Sequence, residues 1–163
     1  MARFAQATDE PTTVYLVGGA TAVWEGIRDS TIDIDLKIEP DRGDLLRALP
    51  QIKEDLEVNV ELASPDLFIP VSAGWQERSP IVDTYGQVTY RHFDLVAQAL
   101  AKIERGHDRD LGDVTQLLAR GLVAPEELEE ELERIEPDLY RFPAVDPESL
   151  RRAVEAVLTQ HRR

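Results

Sequence analysis

The chain contains no cysteine, which excludes disulfides, thiol nucleophiles and thiolate zinc sites and fits a reducing, cytoplasmic setting. No apolar run approaches the roughly 18 residues that a bilayer span requires, so no membrane partner is expected. Residues 1–10 are polar and lack the apolar centre of a secretory signal. Positive charge is scarce. Eighteen Lys and Arg stand against 32 Asp and Glu, a formal net charge of −14. Such a field does not draw in nucleic-acid phosphates. A nucleic-acid contact would need a local basic patch, for which Arg151, Arg152, His161, Arg162 and Arg163 are the best candidates. Several site chemistries are missing too. Gly18-Gly19-Ala20 lacks the Gly-Lys-Ser/Thr of a P-loop and the third glycine of a dinucleotide fingerprint. There is no Gly-x-Ser-x-Gly elbow and no His-Glu-x-x-His, and His92, His107 and His161 are too scattered for a zinc site.

A length of 163 residues is enough to bury a core without staples. The first half alternates strand and helix. Val14–Val17 reads as a strand, Ala20–Ile27 as a helical span and Ile32–Ile38 as a second strand. After the break at Glu39-Pro40-Asp41-Arg42-Gly43, Asp44–Ile52 reads as a helix with Leu45, Leu46, Leu49 and Ile52 on one side. Leu56–Leu62 alternates as a third strand, and residues 71–80 read as a loop carrying Trp75. Ile81–Tyr85 and Val88–His92 form a hairpin around Gly86-Gln87. Helical patterns then cover 93–105, 109–120, 125–136 and 146–160, punctuated by Gly106, Gly121 and several prolines. The expectation is an α+β fold. Residues 1–92 would form a small mixed-sheet core with flanking helices, and residues 93–163 a helical C-terminal region packed on it as one compact unit.

One stretch reads as chemistry. The first strand runs into Gly18-Gly19, and the next carries Asp33 and Asp35 between Ile32, Ile34 and Leu36. Strand side chains alternate, so the two carboxylates share a face, roughly 7 Å apart at the backbone, and can converge on divalent cations. The paired glycine can bring backbone N–H groups close to a phosphate with no side chain in the way. In a chain about one-fifth acidic, Asp-x-Asp alone is unremarkable. The joint order of strand, Gly-Gly, helix and apolar-flanked Asp-x-Asp carries the specificity.

That order resembles the signature of the nucleotidyltransferase superfamily, the DNA polymerase β-like fold. The finer resemblance is to small bacterial-type nucleotidyltransferases and, more distantly, to the AbiEii and MenT toxin-type enzymes, strongest over residues 14–70 and weaker over 93–118. The resemblance implies a metal-dependent enzyme moving a nucleoside monophosphate from a nucleoside triphosphate to a hydroxyl acceptor. Asp33 and Asp35 would hold Mg²⁺ or Mn²⁺, with a third acid on the following strand. That position falls on Glu61, where the family commonly has aspartate, and Asp66 is the fallback. Gly18 and Gly19 would cradle the triphosphate. Lys102, in a segment similar to the Lys…Arg-Asp-x-x-Asp of the toxin-type relatives, would contact phosphates together with Arg28, and Asp110 would help hold the site.

The acceptor is unread: a tRNA end, a protein hydroxyl and a small molecule all suit the fold. Two other readings accompany the enzyme. One is a non-catalytic nucleotide-binding or toxin–antitoxin-type module on the same fold. The other is an interaction domain meeting a cognate protein partner through the acidic 126–138 segment. There Leu128, Leu132, Ile135 and Leu139 form the inward stripe and the glutamates a solvated face. Trp24 and Trp75 read as core or lid contacts.

Overall fold

A computed structural model describes residues 1–162; Arg163, one of the candidate basic residues, lies outside the described residues. The chain is α+β. Its elements are α1 (Ala2–Ala5), β1 (Thr12–Val17), α2 (Gly19–Trp24), β2 (Asp33–Glu39), α3 (Gly43–Leu56), β3 (Asn59–Leu62), α4 (Trp75–Arg78), β4 (Ile81–Tyr85), β5 (Val88–His92), α5 (Leu95–Arg105), α6 (Asp108–Ala119), α7 (Pro125–Ile135) and α8 (Pro147–His161). Short 3₁₀ turns cover Pro65–Leu67 and Glu136–Arg141. The chain divides into two compact units, residues 1–64 with 77–93, and residues 65–76 with 94–163.

The first unit holds all five strands in one mixed sheet, ordered β3-β2-β1-β5-β4. β1 lies centrally, antiparallel to β2 and parallel to β5; β2 and β3 are parallel. A central strand is covered on both faces, which is why β1 reads as a nearly unbroken apolar run. Register fixes the faces. Leu16 pairs with Leu36 and with His92, and Ile34 with Val60, so these side chains share one face, where Phe4, Leu45, Leu49 and Ile52 complete the core. Val17 pairs with Asp35, and Asp35 with Glu61, on the opposite face. On the core side an apolar cavity of about 530 Å³ is lined by Leu16, Leu36, Val60 and Tyr90 of the sheet and by residues of the flanking segments, Trp24 and Leu56 among them.

The second unit is helical, with Leu100, Ile103, Val114, Leu128, Ile135 and Val154 among its buried residues. Asp94 caps α5, its carboxylate accepting from Val96 N–H and Ala97 N–H, and Gly106 ends it at φ 67°.

Several expectations need correction. The helix expected to end at Ile52 runs on to Leu56, and the chain turns at left-handed Glu57, so β3 begins at Asn59 instead of Leu56. Burial of Leu45, Leu49 and Ile52 carries the helix through Pro50, a residue that lacks an N–H. Leu46 sits outside this stripe and is exposed. Ile32 precedes β2 and is 79% exposed instead of packing with Ile34 and Leu36. Trp75 is buried, but in a helical turn rather than a loop. Trp24 is 49% exposed at the rim of the cavity rather than in the core. Glu131 is no part of the solvated glutamate face. It is buried, and its carboxylate accepts from the Ser72 N–H and hydroxyl at 3.1 and 2.8 Å.

Candidate functional site

The site is built where β1 gives way to α2. Gly18 adopts φ 56°, ψ −118°, a combination that side-chain-bearing residues avoid, and its carbonyl accepts from Ala22 N–H at 3.0 Å to open α2. A Cβ on Gly18 would lie 3.1 Å from Asp35 Oδ2. The carboxylate therefore rests directly against the glycine. A Cβ on Gly19 would overlap the Thr31 hydroxyl and lie 3.0 Å from Thr31 Cβ. The Thr31 hydroxyl in turn donates to the Asp33 carbonyl at 2.9 Å. Two side chains from the segment 31–35 thus close the glycine corner from one side.

Beyond the corner, Asp33, Asp35, Asn59 and Glu61 occupy the sheet face opposite Leu36 and Val60. Asp33 and Glu61 are exposed and Asp35 is half-buried. Asn59 Nδ2 donates to Asp33 Oδ1 and to Glu61 Oε1, both at 2.9 Å. Lys53 Nζ lies 3.5 Å from Asn59 Oδ1. Among the described residues, no three His, Asp or Glu side chains are grouped tightly enough to form a metal cage by themselves. The donor set consists of hard carboxylate oxygens on adjacent strands, beside a glycine stripped of side-chain bulk. Such a set suits a cation that completes its shell with water and phosphate oxygens, as Mg²⁺ commonly does.

The profile of a family described as a nucleotidyltransferase of unknown function (DUF6036) matches residues 1–140. The chain belongs to this nucleotidyltransferase family. No curated protein and no solved structure matches it. The matched span contains the glycine corner, the acidic strand, Asn59 and Glu61, and also Lys102 and Asp110. Membership implies a nucleoside triphosphate as substrate. Among the described residues no helix is long and apolar enough to cross a membrane.

The remaining site candidates of this nucleotidyltransferase are placed as follows. Arg28 is half-buried in the turn after α2, its N–H bonded to the Ala22 carbonyl at 3.1 Å. Lys102, Asp110 and Asp66 belong to the second unit. Lys102 is buried on α5. Its ammonium lies 2.5 Å from Asp113 Oδ2 and 3.5 Å from Asp110 Oδ1, and Asp110 also accepts from Arg105 at 2.7 Å. Asp110 and Asp113, three apart on α6, present both carboxylates to one ammonium, as helical spacing requires. Asp66 lies in the Pro65–Leu67 turn.

His92 was legible only as a histidine too isolated for zinc. In the structure it is buried at the end of β5, on the core face behind α2. Its Nδ1 lies 3.1 Å from Thr21 Oγ1, and its Nε2 lies 2.8 Å from Glu25 Oε1. Thr21 donates onward to the Leu16 carbonyl at 2.9 Å. The imidazole thus ties α2 to the strands flanking the glycine corner. Burial holds its pKa below the usual histidine value, and the Glu25 carboxylate opposes that shift. The sequence signal was its place in the alternation Val88, Tyr90, His92, all three buried. On the opposite face, Tyr15 is pushed up to about 12, first by burial and then by Glu39.

Proposed function

We propose that the first unit carries the transfer centre of a metal-dependent enzyme that moves a nucleoside monophosphate from a nucleoside triphosphate to a hydroxyl group. The observation carrying this reading is the contact of Asp35 with Gly18: the carboxylate strand and the glycine corner meet, with room for no side chain between them. Gly18 and Gly19, which carry no side chains where α2 begins, are assigned to the triphosphate. Asp33 and Asp35, with Glu61 as the third acid, are the residues that would hold Mg²⁺, or Mn²⁺ in its place. When bound, that ion supplies charge neutralisation at the phosphates and favours in-line displacement at the α-phosphorus.

The chain's own residues do the rest. Glu61, exposed and longer than aspartate, accepts the proton of the acceptor hydroxyl. The hydroxyl oxygen bonds to the α-phosphorus, the bond from that phosphorus to the bridging oxygen breaks, and pyrophosphate departs with the electron pair. Arg28 is assigned to the leaving phosphates. Lys102, for which the resemblance to the toxin-type enzymes implies a phosphate contact, lies in the second unit with its charge balanced by Asp110 and Asp113.

Incubation of the protein with each α-labelled nucleoside triphosphate and a cell lysate tests the reading and identifies donor and acceptor together. Label is expected in one class of RNA, protein or small molecule, and Asp33→Asn or Asp35→Asn should abolish it with the fold intact. Transfer by either variant at the wild-type rate overturns the mechanism. Nucleotide binding without any transfer would identify a non-catalytic module.

A further inference from the structure

Asn59 belongs to no motif that carried the functional reading, yet its amide bonds to two of the acids on that face. Its side-chain orientation is fixed by its surroundings. Carboxylates only accept hydrogen bonds, so the NH₂ end must face Asp33 and Glu61; an ammonium only donates, so the oxygen must face Lys53. A flipped amide would set its oxygen against two carboxylates. Two 2.9 Å bonds from one nitrogen hold the two acceptor oxygens within about 6 Å of each other. Each carboxylate keeps further lone pairs for another ligand. Parallel pairing places Asn59 directly across from Asp33, and Glu61 lies two residues further along the same strand, so all three share the face.

We infer that Asn59 is a positioning residue, whose amide holds Asp33 and Glu61 at the spacing needed to receive a divalent cation. The inference rests on the metal-dependent reading above. Without the amide, two exposed like-charged side chains repel and sample separate rotamers, and a cation must then gather them at an entropic cost. Lys53 acts one step further out by fixing which end of the amide faces the acids. A merely structural stitch between β2 and β3 makes a different prediction. Those strands are already joined by ladder pairing and by buried Leu36 and Val60, so an exposed side-chain bridge adds little to stability.

The test is a titration of Mn²⁺ alone into the full chain, followed by loss of the free-ion electron paramagnetic resonance signal, alongside the unfolding midpoint. Asn59→Ala should weaken Mn²⁺ binding by about tenfold, the lower end for a residue that orients metal ligands, while the midpoint stays near that of the wild type. Unchanged affinity in Asn59→Ala, while Asp33→Asn and Asp35→Asn bind poorly, overturns the role of Asn59 and leaves the metal reading standing. Wild-type protein that binds no Mn²⁺, or binds it as well after Asp33→Asn and Asp35→Asn, overturns both. Loss of affinity accompanied by a matching drop in the midpoint assigns Asn59 to the fold and refutes the inference.

Discussion

Gly19→Ala puts a number on how closely the glycine corner meets the acidic strand. Gly19 opens α2 without a positive φ, so on backbone grounds alone alanine would stabilise by about 0.4–1 kcal/mol. The new methyl, however, overlaps the Thr31 hydroxyl and lies 3.0 Å from Thr31 Cβ. Rotating χ1 moves the hydroxyl but not the Cβ, and it breaks the 2.9 Å bond to the Asp33 carbonyl. Overpacking of this kind costs about 1–3 kcal/mol, so a net loss of about 1–2 kcal/mol is expected. For a chain of this size that lowers the melting temperature by about 3–6 °C. In a Thr31→Ala background the hydroxyl overlap is gone and the 3.0 Å Cβ contact remains, so adding Gly19→Ala should cost less than in the wild type, a coupling of roughly 1 kcal/mol for residues in contact. Urea unfolding of the wild type, both single variants and the double variant measures this cycle. Additive losses, or a Gly19→Ala protein as stable as the wild type, would show that the corner and residues 31–33 are not packed as described.

Gly18→Ala forces a Cβ into a φ, ψ region that costs of order 1–3 kcal/mol and presses on Asp35, so nucleotidyl transfer should fall further than the melting temperature explains; a rate loss that merely tracks unfolding contradicts this. Lys102→Met removes the ammonium that buried Asp110 and Asp113 share, with Arg105 still beside Asp110, a break worth about 3 kcal/mol. Asp113→Asn added to it should recover part of the midpoint, and no recovery would refute a charge imbalance as the cause. Because burial lowers the folded-state pKa of His92, the unfolded chain binds more protons as pH falls below about 6.5, and stability is lost through that window. Between pH 7.5 and 5.5 the wild type should therefore lose more stability than His92→Gln; equal losses exclude His92 as the group responsible.

Much of the first unit was legible because its strands obey a period of two and its breaks fall at glycine and proline. Asp33 and Asp35 were placed on one face by parity alone, and register puts Glu61 on that face too. Three kinds of feature were not readable. The last turn of α3 was hidden because the alternation from Leu56 to Leu62 reads as strand, whereas the helix runs on to Leu56 before the chain turns at Glu57. Glu131 and His92 were hidden because partners 59 and 71 residues away make their burial tolerable. Asn59 was hidden because an asparagine between valines carries no motif; its meaning comes from the parallel pairing that brings Asp33 beside it. Pattern discloses faces, whereas long-range pairing decides which polar residues meet.

Calorimetric titration of a magnesium-complexed, non-hydrolysable nucleoside triphosphate into wild-type and Asp35→Asn protein tests the central claim most directly. Saturable binding to the wild type, lost in a variant whose unfolding midpoint is unchanged, is the expected result. Equal binding by both proteins would contradict the assignment of the nucleotide to the carboxylate that rests against Gly18.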